Sequence, residues 1–356
     1  MSTLQLSLSI LGALVLALIV AYNAWTTRRH TPRRAQAQDE ARSGRREPGF
    51  AAGAMPPDDP LDDHAADAEA ARQWPVPAFP PERRYGLDPL IDVIAPLQPE
   101  HPVSGAAALA ALPPTRRAGS KPFAIEGLNQ TTQQWETPAP GQRYQSFQAG
   151  VQLTNRMGAL NEIEFSEFVV KTQAFADAIN AAPDFPDMLH EVARARELDQ
   201  FASEHDAQLT FMLRAREAAW SPGYVQQNAA RLGFVPGAMP GRLVLPAGQP
   251  GAPPMLTLSY DTQAALADDP DQSAIRDIGL GLDVAQIDRT EQAFARLRDV
   301  AAALCEAMDG ALCDQHGQPL PAMAMEPIAA DLERLYDQLD GRDLSAGSAL
   351  ARRLFS

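Results

Sequence analysis

IGLGLDVAQ, Ile278 to Gln286, puts Ile278, Leu280, Leu282 and Val284 on one face of an extended chain and Gly279, Gly281 and Asp283 on the other. A period of two with one apolar face is the mark of a half-buried strand. The same parity runs through AQLTFMLRARE, Ala207 to Glu217, where Leu209, Phe211 and Leu213 oppose Gln208, Thr210, Met212 and Arg214. Between these two segments, GRLVLPA and PPMLTLSYD read as further strands separated by the loop AGQPGA. Ser221-Pro222 opens a helix, SPGYVQQNAARL, with Ser as its N-cap, Pro in its first turn and Gly233 closing it. Downstream, Phe294, Leu297, Ala301, Leu304 and Met308 fall at helical spacing and predict a helix from Thr290 to Met308. ALCDQHGQPL offers a short hairpin, and Pro327 starts a final helix through Leu339. The order βαβββαβ(β)α predicts an α/β fold of the α+β kind, an antiparallel sheet with helices on one face and the other face open.

Residues 85–206 repeat this plan. PLIDVIAPL takes the place of the first strand, VSGAAALAALP of the first helix, SKPFAIEGLN of the second strand and YQSFQAGVQLTNR of the strand before the long helix. At a constant offset of 129, Phe165 aligns with Phe294, Phe168 with Leu297, Phe175 with Leu304 and Ile179 with Met308; Val151 and Leu153 align with Leu280 and Leu282. DFPDMLHEVARARELDQFASEH supplies the last helix of this first unit. Any two amphipathic helices can be aligned; agreement in element order, spacing and strand parity favours a tandem duplication.

Toward the N-terminus, Leu4 to Trp25 is a 22-residue run without a charge. At 1.5 Å per residue it is long enough for a bilayer core of roughly 30 Å. Arginines 28, 29, 33, 34, 42, 45 and 46 follow it and only three uncharged residues precede it, so the positive-inside bias places the rest of the chain in the cytoplasm. A cleaved signal peptide fits poorly, because its positive n-region is missing. From Pro32 to Arg84 Pro, Ala, Arg and Asp replace hydrophobic periodicity, the composition of a disordered spacer. The expected organisation is an anchor at 1–27, a linker at 28–84, a degenerate α/β unit at 85–206, a second unit at 207–342 and a tail at 343–356.

The formal charge is -15 despite the arginines near the anchor, so the body repels phosphate backbones and nucleic acid is excluded as its partner. There is no P-loop, no dinucleotide fingerprint, no GxSxG and no HExxH. Cys305, Cys313 and His316 do not complete a four-ligand zinc set, the two cysteines read as free thiols, and His190 and His205 fall on or beside an exposed helix. No metal, cofactor, small-molecule substrate or enzymatic activity is expected.

What the pattern does single out is the open side of the second sheet. Thr210, Met212, Val244, Met255, Thr257, Gly279 and Gly281 share it, with Met239 in the preceding loop and Arg214 and Arg242 at the rim. Methionine and glycine in place of charges make an adaptable apolar trough suited to a peptide. The same residues would also serve if loops or the first unit packed over them.

Anchor, arginine-rich stretch, Pro-rich linker and C-terminal domain together resemble the ZipA family of bacterial cell-division proteins. QLTFMLRA, GYVQQNAARLGF, PPMLTLSYD, GLDVAQ and GALCDQHGQPL carry the resemblance, in that order, over most of residues 207–340. It implies a single-pass inner-membrane protein of the division site, with its N-terminus periplasmic and its domains cytoplasmic. The open sheet face of such a protein would hold the C-terminal tail of the tubulin-like protein FtsZ. By strand position the contacts would fall on Thr210, Met239, Met255, Thr257 and Gly281. The family carries a bulky aromatic where this chain has Gly281, a departure that bears on affinity. A different expectation, a membrane-anchored scaffold whose α/β units bind each other or another envelope protein, follows if the open faces are mutually buried.

Overall fold

The computed structural model describes Arg33 and residues 86–249, 251–269 and 272–356. The expected anchor and linker lie outside the described residues, Arg33 excepted, and among the described residues no helix is long and apolar enough to cross a membrane. The fold is mixed α/β with antiparallel sheets.

The first unit comprises β1 (Asp92–Pro99), α1 (Gly105–Ala111), β2 (Lys121–Asn129), β3 (Arg143–Gln152), α2 (Glu162–Ala178), β4 (Ala181–Pro183) and α3 (Met188–His205). In the second lie β5 (Gln208–Ala215), α4 (Pro222–Arg231), β6 (Val235–Pro236), β7 (Arg242–Leu245), β8 (Leu256–Ser259), β9 (Asp277–Asp283), α5 (Ala293–Met308), β10 (Gly310–Cys313) and α6 (Met325–Asp340). The central strand orders are β2-β3-β1-β4 and β8-β9-β5-β10, the same path in both. In each, the first strand sits between the strand that precedes the long helix and the one that follows it.

Register repeats as well as order. Val151 pairs with Val93 and Phe123 in the first sheet; Leu280 pairs with Phe211 and Leu258 in the second. All six are buried. Over these rungs lie the long helices: Phe168 meets Phe123 edge-on at 6.1 Å, Phe175 meets Phe147 at 5.4 Å, and Phe294 meets Phe211 at 6.4 Å. Such contacts remove one sheet face from water in each unit. Asn161 caps α2 reciprocally, accepting from the Ile163 and Glu164 amides while the Glu164 carboxylate accepts from the Asn161 amide.

Several element ends depart from the sequence reading for local reasons. Thr290 lies not in the long helix but in a 3-10 turn, Arg289–Glu291, because the Asp288 carboxylate accepts from both its amide and its hydroxyl. Gln292 then turns left-handed, at φ 49°, and α5 starts after it. The strand read as far as Gln286 stops at Asp283, where Val284–Gln286 wind into a 3-10 turn that still buries Val284. Pro327 stands third in α6, where its missing N–H is one that has no intrahelical acceptor. His205 is buried rather than exposed, stacked on Phe201 at 4.0 Å with Nδ1 2.7 Å from the Phe201 carbonyl.

The segment read as a tail forms α7 (Ala349–Leu354), and it joins the two units. From the first unit, the Gln152 amide donates to the Arg353 carbonyl at 2.8 Å; from the second, Gln286 donates to the Phe355 carbonyl at 2.8 Å. Leu354 and Phe355 are buried between these donors. Arg156 of the first unit pairs with Asp206 at 2.7 Å and with Asp283 of β9 at 2.8 Å, and the Arg342 guanidinium lies 4.7 Å from the Phe201 ring centroid. The buried apolar residues of both units form one cluster. Truncating Phe355 to Ala is expected to cost about 3 to 5 kcal/mol. Urea unfolding of the full chain measures it, and the loss should appear in one cooperative transition, because both units rest on this helix.

Candidate peptide-binding face

Two rungs of the second sheet build its uncovered face. Thr210, Gly281, Thr257 and Val244 form one across β5, β9, β8 and β7; Met212, Gly279, Ser259 and Arg242 form the next. Their neighbours of opposite parity, Phe211, Leu280, Leu258 and Leu243, are buried under the helices. The period-two pleat therefore delivers seven of the eight residues singled out by sequence to this side. Met255 precedes β8 on the same side, its amide donating to the Leu245 carbonyl at 2.8 Å. Met239 is different: it is 56% exposed in the turn between β6 and β7, off the sheet, with its carbonyl accepting from the Arg242 amide. Its place in the turn follows from β6 pairing with β7 as a hairpin, which the sequence reading treated as a simple loop.

The glycines shape the floor. A Cβ on Gly279 would meet Ser259 Oγ at 3.1 Å, Thr210 Cγ2 at 3.7 Å and Met212 Sδ at 3.8 Å, so those three side chains wall a notch one methyl deep. On Gly281 a Cβ would meet Thr257 Oγ1 at 2.8 Å. Thr257 thus leans into the space above Gly281 that a larger side chain would need. Thr210 is exposed and Met212, Val244, Met255 and Thr257 are half-buried, on the side of the sheet opposite the residues that α5 covers. Ser259 was overlooked by the sequence reading, although the parity of Met255 and Thr257 already pointed to it. Val235, 44% exposed and paired with Val244, extends the apolar strip past β7.

Charge is confined to the margins. Arg214 is held by Asp277 at 2.7 Å, while Arg242 is exposed and makes no ion pair among the described residues. Beyond Thr210, burial pushes Asp283 up and Arg156 opposes the shift. Among the described residues of this face, no nucleophile is hydrogen-bonded to a base. Burial pushes the Cys305 thiol up to about 11, which keeps it protonated, and among the described residues no three His, Cys, Asp or Glu side chains converge as metal ligands. What this surface can do is take up an extended apolar chain.

The first unit has the corresponding face, and its own chain covers it. Gly150 stands 129 residues before Gly279 on the equivalent rung, between Ile94 and Ala124. Here Leu87 fills the notch: a Cβ on Gly150 would lie 2.4 Å from Leu87 Cδ2. The Leu87 amide donates to Glu126 Oε1 at 3.1 Å, Gln148 donates to Glu126 Oε2 at 2.8 Å, and Arg353 donates to the Gly86 carbonyl at 3.2 Å. The remaining open positions mix polar residues, Gln98, Ser146 and Gln148, with apolar ones, Ile94 and Leu128 half-buried and Ala124 exposed.

No protein-family model and no characterised protein sequence matches this chain. Gly281→Val is expected to destabilise the second unit by about 1 to 3 kcal/mol through crowding with Thr257. Chemical unfolding should find most of that loss recovered in the Gly281→Val, Thr257→Ala double variant, whereas additive losses would mean that the two side chains do not compete for one space.

Proposed function

We propose that this chain is a non-enzymatic tether of the ZipA kind: its apolar N-terminal run anchors it in the bacterial inner membrane, and the open face of its second unit holds the C-terminal tail of FtsZ during cell division. The observation that carries this reading is the uncovered face itself, lined by Thr210, Met212, Val244, Met255 and Thr257 around two glycines, where a sheet with one solvated side ordinarily shows charge. The matching topology of the two units supports a tandem duplication in which the first copy has given up ligand binding, since Leu87 already occupies its notch. Each chain then offers one groove.

Two or three apolar side chains of a tail, buried at about 1.5 to 3 kcal/mol each, less the cost of ordering an extended peptide, correspond to micromolar affinity. Recruitment of a polymer then rests on avidity, because many anchored grooves meet many tails. Titration of the full chain with a fluorescent peptide of the FtsZ tail should saturate at one peptide per chain, and Met212→Asp or Met255→Asp should weaken binding at least about tenfold, the effect of losing one buried apolar contact. Both positions are half-buried at the surface, so circular dichroism should remain that of the parent. Unchanged affinity in both variants would rule out this groove. A folded protein that binds no tail would favour the scaffold reading.

A further inference from the structure

Arg33 lies more than fifty residues before the first unit, yet it is placed against the second. Its amide donates to the Ala219 carbonyl at 2.6 Å and its carbonyl accepts from the Ser221 amide at 2.9 Å, a parallel bridge to Trp220. Trp220 is itself bridged on its other side to Ile275, with both bonds at 2.8 Å. Arg33 therefore adds a third segment beside Trp220 and Ile275, on the free side of Trp220. Ala219 and Ser221 are buried, and without Arg33 the Ser221 amide would lose its acceptor in a site poor in water.

The side chain is received as specifically as the backbone. One guanidinium nitrogen donates to the Met308 carbonyl at 3.1 Å and another reaches the Asp309 carboxylate at 2.9 Å. These groups are the last carbonyl of α5 and its left-handed cap, at φ 55°, so the cation sits at the negative end of a helix whose final carbonyls have no intrahelical donors. Trp220 Nε1 donates to the same Met308 carbonyl at 2.8 Å, and the Arg216 amide fixes Asp309 through its carbonyl at 3.2 Å. An extended backbone with a planar, forked cation satisfies this set; a lysine, one point charge, would not reach both acceptors with a fixed geometry.

We propose that the edge at Ala219–Ser221 and the end of α5 form a socket for Arg33 of this same chain. The second unit is then held only seven residues from the end of the apolar run at Trp25, a span of at most about 29 Å even when fully extended. Release of Arg33 would lengthen the tether without changing either fold. The change in reach rests on the apolar run being the membrane anchor proposed above; the socket itself depends neither on that nor on any peptide at the open face.

Hydrogen exchange of the full chain in lipid nanodiscs, resolved at Ser221 and Ile275, tests the socket. Arg33→Asp should accelerate exchange at Ser221 by about tenfold or more, the scale of losing hydrogen bonds to a charged group. Asp309→Asn should accelerate it less, because the backbone pair remains and Asn tolerates the left-handed cap. Exchange at Ile275, whose amide bonds the Trp220 carbonyl independently of Arg33, should stay at the parent rate in both. Parent-like rates at Ser221 in both variants would overturn the proposal. An acceleration shared equally by Ile275 would overturn it as well, since it reports a lost fold rather than a released strand.

Discussion

The register of β9 between β5 and β8 is the constraint on which the second unit depends. With Leu280 between Phe211 and Leu258, the leucines of β9 face the helices and its glycines face out. Slipping by one residue would bring Gly279 and Gly281 into the core and expose Leu280 and Leu282. The core would lose Leu280 and Leu282, and the outer face would carry those leucines instead of glycines. One choice of pairing therefore fixes both the stability of this unit and the chemistry of its open surface.

Much of this was legible because side-chain parity is a local property. Leu280 and Val151 could be aligned at an offset of 129 before any strand pairing was known, and both occupy the centre of equivalent rungs. The helix positions Phe165, Phe168 and Phe175 behave in the same way, buried where Phe294, Leu297 and Leu304 are buried. Where the reading failed, the deciding interaction was either a competing local bond or a distant one. Asp288 diverts Thr290 into a 3-10 turn through a bond two residues long, and the loop that holds Met239 proves to be the turn of a hairpin made by β6 and β7. The role of α7 was out of reach for another reason. SALARRLF shows a few apolar residues at the end of the chain, and nothing in it announces that Gln152 and Gln286 will donate to its carbonyls from two different units.

Buried polar side chains follow the same division. Lys121 is 1% exposed, held by Ser120 Oγ at 2.9 Å and Asn155 Oδ1 at 3.1 Å, and burial depresses it against the pull of Glu164 and Asp199. In SKPFAIEGLN this lysine stands at the start of an alternating strand, where a solvated end is the ordinary reading. Apart from the neighbouring Ser120, its partners, Asn155, Glu164 and Asp199, stand more than thirty residues away. A chain that buries such a group must supply every one of its hydrogen bonds from tertiary structure, and the supply cannot be inferred from spacing.

The contrast between the two open faces says most about use. Both sheets descend from the same strand order and both carry a glycine, Gly150 or Gly279, at the centre of the uncovered side. In the first, Leu87 enters the notch, Glu126 takes its amide and Arg353 holds the segment from the end of the chain. In the second, no such strap precedes β5: Ala207 is engaged instead as acceptor for the Val284 amide, and Met212 and Thr210 merely border the notch. A uniform need to shield apolar sheet surface would have treated the two alike, either with a strap or with glutamines and serines. Above Gly150 an extended segment seats one branched apolar side chain in the notch and offers its backbone to Glu126, and on the reading proposed for the second face an occupant from outside the chain would take the same form above Gly279, where Met212, Thr210 and Ser259 wall a notch that no residue of this kind fills among the described residues.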